Sequence, residues 1–392
     1  MKILLVHNRY QLPGGEDEVH ERERELLLQN GHEIIDYVRD NREIANYSAI
    51  AKTTLGFRTI WAWDSYRHLA ELIEERNPDV AHFHNTFPLI SPASYYACTA
   101  ANVPIVQTLH NPRLLCPSAT LYRDGKLCED CAGRHFAWPA IQHGCYQDSR
   151  GRSAVVASML AIHRGIGTWK HKVNAYVAST EFYRQKFMAA GIPGEKILVK
   201  PHFVAADPGC GEGNGKYALF VGRLAPEKGV GTLLDAWRNL KAIPLYLRGE
   251  GPLKEAVLRR QDASLKWMPR MERSELFDLI KGARFLVWPS EGHYETFGLI
   301  AIEAFACGVP VIASRTGVMQ EIVQDGVTGL HFVPGNSNDL ANKVQWAWGH
   351  PEELLTMARN ARTKYEDSYT AADNYELLMQ IYEQARTERQ PC

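Results

Sequence analysis

The stretch from Trp288 to Ser314, WPSEGHYETFGLIAIEAFACGVPVIAS, constrains the fold more than any other part of the chain. A short apolar run that ends at Trp288 indicates a buried strand, and the following Pro-Ser pair stops it. A helix is predicted from about Gly298 to Ala306, where Cys-Gly ends it. Val311–Ala313 is the next buried strand. Strand, helix and strand in this order form a βαβ unit, which predicts a parallel sheet in an α/β protein.

Two glutamates frame the predicted start of this helix. Glu295 lies in the preceding loop, and Glu303 follows eight positions later, about two helical turns on. Between them Phe297, Gly298 and Leu299 open the helix, where glycine admits a ligand to the backbone and free N–H groups suit an anion. A nucleotide sugar, with phosphate flanked by hydroxyls, fits this pattern. The alternative is two solvated surface residues, but Glu303 stands in an apolar run where a carboxylate needs a partner.

This stretch resembles the donor-binding signature of a known family. The spacing E-x7-E, with Phe-Gly after the first glutamate and then E-A-x-A-x-G-x-P-V, is similar to that of the group 1 glycosyltransferases, also called glycosyltransferase family 4. The resemblance implies the GT-B fold, which has two Rossmann-like domains with parallel sheets that face each other across a cleft. It also implies a last helix that crosses back to the first domain.

The length of 392 residues is enough for two domains of common size. We predict an N-terminal acceptor-side Rossmann-like domain over residues 1–200, with a Cys-rich insertion at about 112–150. A linker over 201–216, rich in glycine and proline, precedes a C-terminal donor domain over 217–370. The resemblance implies that residues 371–392 form the returning helix, and its last residues, Gln390–Cys392, are expected to be a loose end.

The composition limits the partners and the compartment. The 44 Lys and Arg residues nearly balance the 45 Asp and Glu residues, so no basic field indicates a nucleic-acid partner. No apolar run approaches the length of a membrane span, and the chain begins with a predicted strand, Lys2–His7, rather than a signal peptide. We therefore expect a cytoplasmic protein whose eight cysteines are thiols or metal ligands rather than disulfides.

A glycine pair, Gly14 and Gly15, separates the first predicted strand from a helix predicted over about Asp17–Gln29. Glycines here allow an anion to approach the backbone, although a tight turn without a ligand is the alternative. The resemblance implies that this loop lies near the donor diphosphate and the acceptor. The acidic run Glu16–Glu18 is explained by the helix dipole. A second helix is predicted over about Ile60–Arg76.

No Asp-x-Asp pair occurs anywhere in the chain. The sequence therefore offers no obvious carboxylate clamp for a metal–diphosphate complex, and we expect catalysis to require no cofactor.

Two predicted strands end in the dipeptide His-Asn, at His84 and at His110. Open α/β sheets bind ligands at the carboxyl edge, so both histidines are candidate site residues. A single histidine is more often packed or solvated, but two at equivalent strand ends favour a functional role. The resemblance favours His110, which matches the histidine that lies beside the transferred sugar in the family.

Four cysteines fall within thirty positions of the first domain: Cys116, Cys128, Cys131 and Cys145. The middle two have the C-x2-C spacing, with one cysteine on either side. In a reducing compartment, four thiolates in a turn-rich insertion indicate a structural Zn site, because a small loop cannot bury enough apolar surface to hold itself. Four separate buried thiols and a redox-labile loop are the alternatives, since a standard finger has two C-x2-C pairs.

The segment from Arg150 to Lys172 contains five basic residues and no acidic one, around an apolar centre. A helix of this composition suits contact with the anionic inner leaflet of a membrane, which a lipid-linked acceptor would require. The alternative is an ordinary half-buried helix with a basic solvent face. A peripheral contact with the membrane is thus one expectation from the sequence.

The second domain begins with a strand, a cationic loop and a helix, in the run YALFVGRLAPEKG from Tyr217 to Gly229. Arg223 and Lys228 flank its proline turn, and a guanidinium fork with an ammonium group suits a diphosphate. A solvated turn is the alternative. The run resembles the family's G-R-L-x-x-x-K-G motif, whose Arg and Lys contact the donor diphosphate. Arg270 and Met268 are candidates to border the nucleotide base, which the sequence does not select.

The resemblance implies a retaining glycosyltransferase that moves a hexose-type sugar from a UDP- or GDP-linked donor to an acceptor hydroxyl. In this assignment Arg223 and Lys228 neutralise the diphosphate. Glu303 holds the ribose, Glu295 holds the sugar, and His110 lies against the sugar. The expected acceptor is a lipid-linked glycan of surface-polysaccharide synthesis. A small-molecule acceptor, a GT-B epimerase or phosphorylase, and a non-catalytic sugar-nucleotide-binding protein are the alternatives.

Overall fold

A computed structural model of the chain describes residues 1–11, 14–292 and 295–387, without the side chains of residues 49–53. The predicted loose end at Gln390–Cys392 lies outside the described residues. The chain divides into two units. Unit 1 comprises Met1–Arg123, Cys128–Lys200 and Tyr375–Cys392, and unit 2 comprises Asp124–Leu127 and Pro201–Asn374.

The strands of the first half of the chain form a six-stranded sheet and a two-stranded one, and the central strands of the larger sheet are buried, as strands covered by helices on both faces must be. They are β1 (Lys2–Arg9), β2 (Glu33–Asp40), β3 (Val80–Asn85), β4 (Ile105–Thr108), β5 (Tyr122–Arg123), β6 (Lys126–Leu127), β7 (Ala175–Ala178) and β8 (Ile197–Val199). Six of them form the sheet of unit 1, in the order β2-β1-β3-β4-β7-β8, and each neighbouring pair is parallel. The strand order reverses between β1 and β3, which marks a topological switch point.

The helices of the first half connect these strands. They are α1 (Gly15–Gln29), α2 (Ala49–Ile60), α3 (Trp63–Arg76), α4 (Ala93–Ala100), α5 (Trp138–Gln142), α6 (Arg150–Gly165), α7 (Thr168–His171) and α8 (Glu181–Ala189). The helix predicted over about Ile60–Arg76 is α3, which begins at Trp63, whereas α2 was not predicted. The two helices are separated at Trp61 and Ala62, and the backbone N–H of Ala62 donates to the hydroxyl of Ser91 at 2.9 Å. Similarly, the basic segment is two helices with Gly167 between them at φ +73°.

Unit 2 contains a second parallel sheet. Its strands are β9 (Tyr217–Val221), β10 (Leu245–Arg248), β11 (Leu265–Met268), β12 (Ala283–Trp288), β13 (Val311–Ser314) and β14 (Gly329–Phe332). Their order is β11-β10-β9-β12-β13-β14, which is the order of a Rossmann fold. The fold prediction of two Rossmann-like domains is thus confirmed. The switch point of unit 2 lies between β9 and β12, where a ligand is expected at the carboxyl ends of the strands.

The helices of the second half pack on this sheet, except the last one, whose buried side chains belong to unit 1. They are α9 (Val230–Ala236), α10 (Lys254–Arg259), α11 (Arg273–Lys281), α12 (Leu299–Ala306), α13 (Val318–Ile322), α14 (Ser337–Gly349), α15 (Pro351–Ser368) and α16 (Ala371–Thr387). The stretch from Trp288 to Ser314 therefore runs from the end of β12 through α12 to β13, which is the predicted βαβ unit.

The last helix, α16, completes the core of unit 1. Its buried side chains pack with those of β1, β3, β4 and β7, as the resemblance implied for the returning helix. The contributing residues of α16 are Leu378, Ile381, Tyr382 and Ala385. Within the described part of the chain, every helix is too short or too polar to span a membrane.

Candidate active site

An ion pair joins the two strand ends at the switch point of unit 2. Lys228 follows β9 and Glu295 follows β12, and the ammonium of Lys228 contacts Oε1 of Glu295. The same oxygen accepts a hydrogen bond from the hydroxyl of Ser290 at 2.9 Å and another from the indole Nε1 of Trp288 at 3.3 Å. One cation and two neutral donors therefore hold this carboxylate.

The environment of Glu295 keeps it ionised. Burial by itself raises the pKa of Glu295, but the charge and the hydrogen bond of Lys228 lower it by more, with help from Ser290 and Trp288. The net pKa lies below the usual value. The side chains of Lys228 and Glu295 are still 17% and 13% exposed, respectively. An ionised, partly accessible carboxylate is suited to accept hydrogen bonds from ligand hydroxyls.

The loops after β9 and β12 pack directly against each other. The backbone N–H of Glu291 donates to the carbonyl of Glu227 at 3.1 Å. Gly229 has φ +68°, and a Cβ at this position would lie 1.9 Å from the carbonyl oxygen of Pro289. Only glycine allows this approach, which brings the β9 loop to the ion pair.

Gly298 is required by the indole of Trp288. It precedes α12 with φ +103°, and a Cβ there would lie 2.1 Å from Cη2 of that ring. Phe297 is buried, with its ring 4.9 Å from that of His202, so it offers its backbone rather than its side chain to a ligand. Leu299 is the first residue of α12. The predicted anion-binding helix end is therefore built from backbone groups beside Trp288.

Glu303 lies on the buried face of α12, and its partner is Arg273. The guanidinium Nη2 of Arg273, at the start of α11, lies 2.9 Å from Oε1 of Glu303, whose side chain is 8% exposed. The apolar run around Glu303 indicated that this carboxylate needs a partner, but it did not indicate which residue. A basic residue at the start of the helix after β11 was the available signal.

The predicted arginines are more exposed than the glutamates. The side chain of Arg223 is 59% exposed, and its guanidinium lies 3.8 Å from Oε1 of Glu227. Arg270 is exposed in the loop between β11 and α11. Within the described part of the chain, no hydrogen bond or ion pair joins Arg270 to Glu295 or Lys228, so the structure does not bring all predicted donor residues into one contact network.

The glycine loop of unit 1 begins α1. Gly14 is the N-cap, Gly15 is the first helical residue, and the N–H of Gly14 donates to Oδ2 of Asp17 at 2.8 Å. The other oxygen of Asp17 lies 2.7 Å from Nε2 of His7 at the end of β1. Leu12 and Pro13, in the same loop, lie outside the described residues.

Glu16, whose charge was predicted to complement the helix dipole, takes part in a partly buried contact. Its Oε1 accepts a hydrogen bond from Nδ2 of Asn111 at 2.5 Å. Burial raises the pKa of Glu16 to about 7, although Asn111 and Arg113 act in the opposite direction. The signal in the sequence was its position directly after the glycine pair. A carboxyl group with this pKa can exchange a proton near neutral pH.

The two predicted histidines of unit 1 contact each other. Nδ1 of His84 lies 2.9 Å from Nε2 of His110, and both side chains are buried. A small cavity borders both of them and also Asn111 and Arg113. The structure thus places His110 at the edge of a pocket within unit 1, next to the contact of Glu16.

The four cysteines of the insertion lie near one another as free thiols. Burial raises the pKa of Cys131 to about 11, and the nearby Cys116, Cys145 and Cys128 raise it further. Among the described residues, the three donor atoms that come within 4.8 Å of one another belong instead to Glu23, His82 and His84. The thiols therefore form a cluster that is looser than a metal centre.

Two family profiles match the chain. The profile described as Glycosyl transferases group 1 matches residues 211–364, and the profile described as Glycosyltransferase Family 4 matches residues 24–207. Together they cover most of both units. The residues of the candidate site in unit 2 all fall within the first match, and His84 and His110 fall within the second.

Curated relatives and solved structures agree with these matches. A glycogen synthase of Mycobacterium tuberculosis is 28% identical over 328 residues, which is 80% of this chain and 71% of that protein. An uncharacterized glycosyltransferase of Methanocaldococcus jannaschii is 34% identical over 155 residues, which is 38% of this chain and 43% of that protein. Anabaena HepE, solved in complex with UDP-glucose, superposes with a TM-score of 0.66 over 98% of this chain and 100% of its own, at 17% identity.

Proposed function

The chain belongs to the group 1 glycosyltransferases, and from this premise we propose that it is a retaining hexosyltransferase that uses a UDP- or GDP-sugar. The acceptor in this proposal is the hydroxyl of a lipid-linked glycan in surface-polysaccharide synthesis. The observation that carries the donor assignment is the contact between Lys228 and Glu295 at the switch point of unit 2. Support for a UDP-sugar comes from the fold shared with HepE, a protein solved with UDP-glucose.

The proposed chemistry uses the two charges of this contact for different parts of the donor. Lys228, with the exposed Arg223, neutralises the diphosphate as the bond to the sugar breaks. The backbone N–H groups at Gly298 and Leu299 add hydrogen bonds to the same phosphates. Glu295 is then released from Lys228 and accepts hydrogen bonds from the sugar hydroxyls.

The remaining residues have supporting roles in this proposal. Glu303, held by Arg273, binds the ribose hydroxyls, and Arg270 borders the base. Unit 1 contributes His110, which contacts the transferred sugar, and the loop at Gly14 and Gly15. The departing phosphate takes the proton of the acceptor hydroxyl, which accounts for retention without a separate base.

Thermal unfolding with a panel of UDP-, GDP-, dTDP- and ADP-sugars tests the donor site. A ligand at about 100 times its Kd stabilises a protein by about 2.7 kcal/mol, so one nucleotide should raise Tm clearly above the others. Arg223→Ala should abolish the shift. Arg238→Ala is the matched control, because Arg238 also lies in unit 2 and its side chain is 65% exposed. A shift that survives in Arg223→Ala contradicts the assignment of Arg223.

The membrane contact is proposed for an apolar surface of unit 1. Phe57 and Trp63 are 77% and 61% exposed, and Ile162 and Ile166 of the basic segment are also exposed. Helices α2 and α6 pack together through Gly56 and Val155, which places these side chains on neighbouring elements. Exposed aromatic side chains beside a segment without acidic residues suit an anionic leaflet.

Co-sedimentation with vesicles tests this surface. The protein should bind vesicles that contain anionic phosphatidylglycerol at low salt, and a variant with Phe57→Ser and Trp63→Ser should remain in the supernatant. Leu355→Ser, in which an exposed side chain of unit 2 is changed, is the control. Equal sedimentation of all three proteins contradicts the proposed surface.

A structural Zn ion bound by the four cysteines is also proposed. Burial raises the pKa of Cys128 and of Cys131, but backbone hydrogen bonds from Asp130 and Ala140 oppose this effect, and a bound Zn ion would stabilise the thiolates further. Elemental analysis of the purified protein should find one Zn per chain. A variant with Cys128→Ser and Cys131→Ser should lose it, and Cys210→Ser should retain it, because Cys210 is an exposed thiol of unit 2. Protein that is purified without Zn contradicts the proposal.

A further inference from the structure

Two buried side chains of unit 1, His84 and Glu23, are aligned behind His110. Nδ1 of His84 lies 2.9 Å from Nε2 of His110, and Nε2 of His84 lies 3.6 Å from Oε2 of Glu23. Glu23 belongs to α1, His84 to β3, and His110 follows β4. Three separate elements of the fold therefore bring these groups together, so their alignment does not depend on the conformation of one loop.

The contact between His84 and Glu23 joins two atoms that make no hydrogen bond elsewhere, although Nδ1 of His82 also lies 3.9 Å from Oε2 of Glu23. Nε2 of His84 and Oε2 of Glu23 are both buried and make no hydrogen bond among the described residues. A separation of 3.6 Å is slightly too long for a hydrogen bond, but a buried donor and a buried acceptor are rarely left unpaired. A small movement of either side chain closes the bond.

Lys200 forms a buried ion pair with Glu23, which disfavours a metal ion in this cluster. Its ammonium lies 2.5 Å from Oε1 of Glu23, and both side chains are 0% exposed. Glu23, His82 and His84 bring donor atoms within 4.8 Å of one another, as a metal site would. However, Lys200 already neutralises Glu23, so a divalent ion would add two uncompensated charges to a fully buried site.

His84 is a neutral imidazole in this environment. Burial lowers the pKa of His84 well below its usual range, and the neighbouring histidines lower it further. A neutral imidazole has one N–H donor and one acceptor nitrogen. When Nε2 of His84 donates to Glu23, Nδ1 of His84 carries no proton and must accept a hydrogen bond. Nε2 of His110 must then carry the proton that it donates to Nδ1 of His84.

We propose that Glu23 is a positioning residue, which acts through His84 to fix His110 in the tautomer with its proton on Nε2. Nδ1 of His110 is then an acceptor for a hydroxyl group rather than a donor. This inference rests on the proposed function, in which His110 contacts the transferred sugar. Glu23 itself touches no substrate.

Glu23→Gln is the decisive variant, because it inverts the order of donors and acceptors. The ammonium of Lys200 is a donor, so the amide oxygen of the new glutamine must face it. The NH2 group of the glutamine then faces Nε2 of His84. That nitrogen must then accept, and the proton of His84 moves to Nδ1, which donates to Nε2 of His110. The tautomers of both histidines are therefore expected to change.

Long-range 1H–15N NMR correlation of the full chain, labelled with 15N-histidine, measures these tautomers. The signals are assigned with the variants His84→Asn and His110→Asn. The wild-type protein should show the proton on Nε2 of both rings, and Glu23→Gln should show it on Nδ1 of both rings. A wild-type His84 with its proton on Nδ1 would overturn the proposal, even if the variant fails to fold.

Tyr382→Phe is the matched control within the same cluster. The hydroxyl of Tyr382 lies 2.8 Å from Nδ1 of His82, and His82 contacts Thr108 through its other nitrogen. Removing this hydroxyl changes the cluster without removing a partner of His84. The tautomers of His84 and His110 should therefore stay as in the wild type, and a change would show that the cluster responds to any substitution.

Kinetics separate this proposal from the proposed function. In Glu23→Gln, kcat should fall by roughly 10²-fold or more while KM for the donor stays nearly constant, because a wrong tautomer of a catalytic histidine costs up to about 10⁴-fold. Unchanged kcat with inverted tautomers would overturn the positioning role of Glu23. Full transfer by His110→Ala would instead refute the role of His110 itself.

Discussion

Lys200 offers the sharpest test of how charge is balanced inside unit 1. Its side chain and that of Glu23 are both fully buried, and they form an ion pair with Nζ and Oε1 2.5 Å apart. Lys200→Met removes the cation but nearly preserves the shape. Glu23 then remains as a buried charge that has lost its cation, and loss of one partner from a buried pair typically costs about 3–5 kcal/mol.

This cost is large enough to measure by calorimetry or by urea unfolding. For a domain of this size, 1 kcal/mol shifts Tm by about 2–4 °C, so Lys200→Met should lower the Tm of unit 1 by roughly 6–20 °C. The double variant Glu23→Leu with Lys200→Met should recover most of the loss, because an apolar pair replaces a buried ion pair at little or no cost.

A surface pair provides the comparison. Lys186 contacts Glu129, and these side chains are 26% and 40% exposed. Lys186→Met should therefore cost less than about 1 kcal/mol. If Lys200→Met were as mild as Lys186→Met, Glu23 would not be a buried anion, and the charge argument against a metal in that cluster would fail with it.

The contacts around Glu295 lead to further expectations for unit 2. Glu295→Ala and Lys228→Ala should each lower kcat/KM by at least about 10²-fold without unfolding the protein, and near wild-type turnover would remove the role of the changed residue. Gly298→Ala should lower the Tm of unit 2 more than Gly335→Ala. Both glycines have positive φ, but a Cβ at Gly335 meets nothing within 4 Å, whereas a Cβ at Gly298 strikes Trp288. The lowered pKa of Glu295 stabilises the fold above its unfolded value of about 4.5, and this stability is lost as the pH falls through the folded value. Glu295→Gln should therefore reduce the fall in Tm below about pH 4.5; an unchanged profile would contradict the ionised state of Glu295.

The sequence predicted the members of the unit 2 site better than their contacts. Glu295 and Lys228 were identified from separate motifs, but their ion pair depends on β9 and β12 being neighbours at the switch point. Strand order is a long-range property that no local pattern contains. Arg273, the partner of Glu303, was missed for the same reason, since its position follows from the packing of α11 on α12.

In unit 1 the missed features are tertiary contacts. The residues between α2 and α3 include no glycine or proline that would predict a helix end. The separation is instead stabilised by the tertiary hydrogen bond from the N–H of Ala62 to the hydroxyl of Ser91. Glu23 lies in an ordinary amphipathic helix and was indistinguishable from a solvated glutamate. Only the fold shows that it faces His84 and Lys200 in the interior.

The position of α16 has a consequence for the order in which the protein can mature on the ribosome. Leu378, Ile381 and Tyr382 fill the apolar face of the unit 1 sheet, although they follow unit 2 in the chain. The nascent unit 1 must therefore wait, with that face uncovered, while the whole of unit 2 is translated. A chain truncated near residue 200 would lack α16 and leave this face of the sheet exposed, so the fragment should be prone to aggregation.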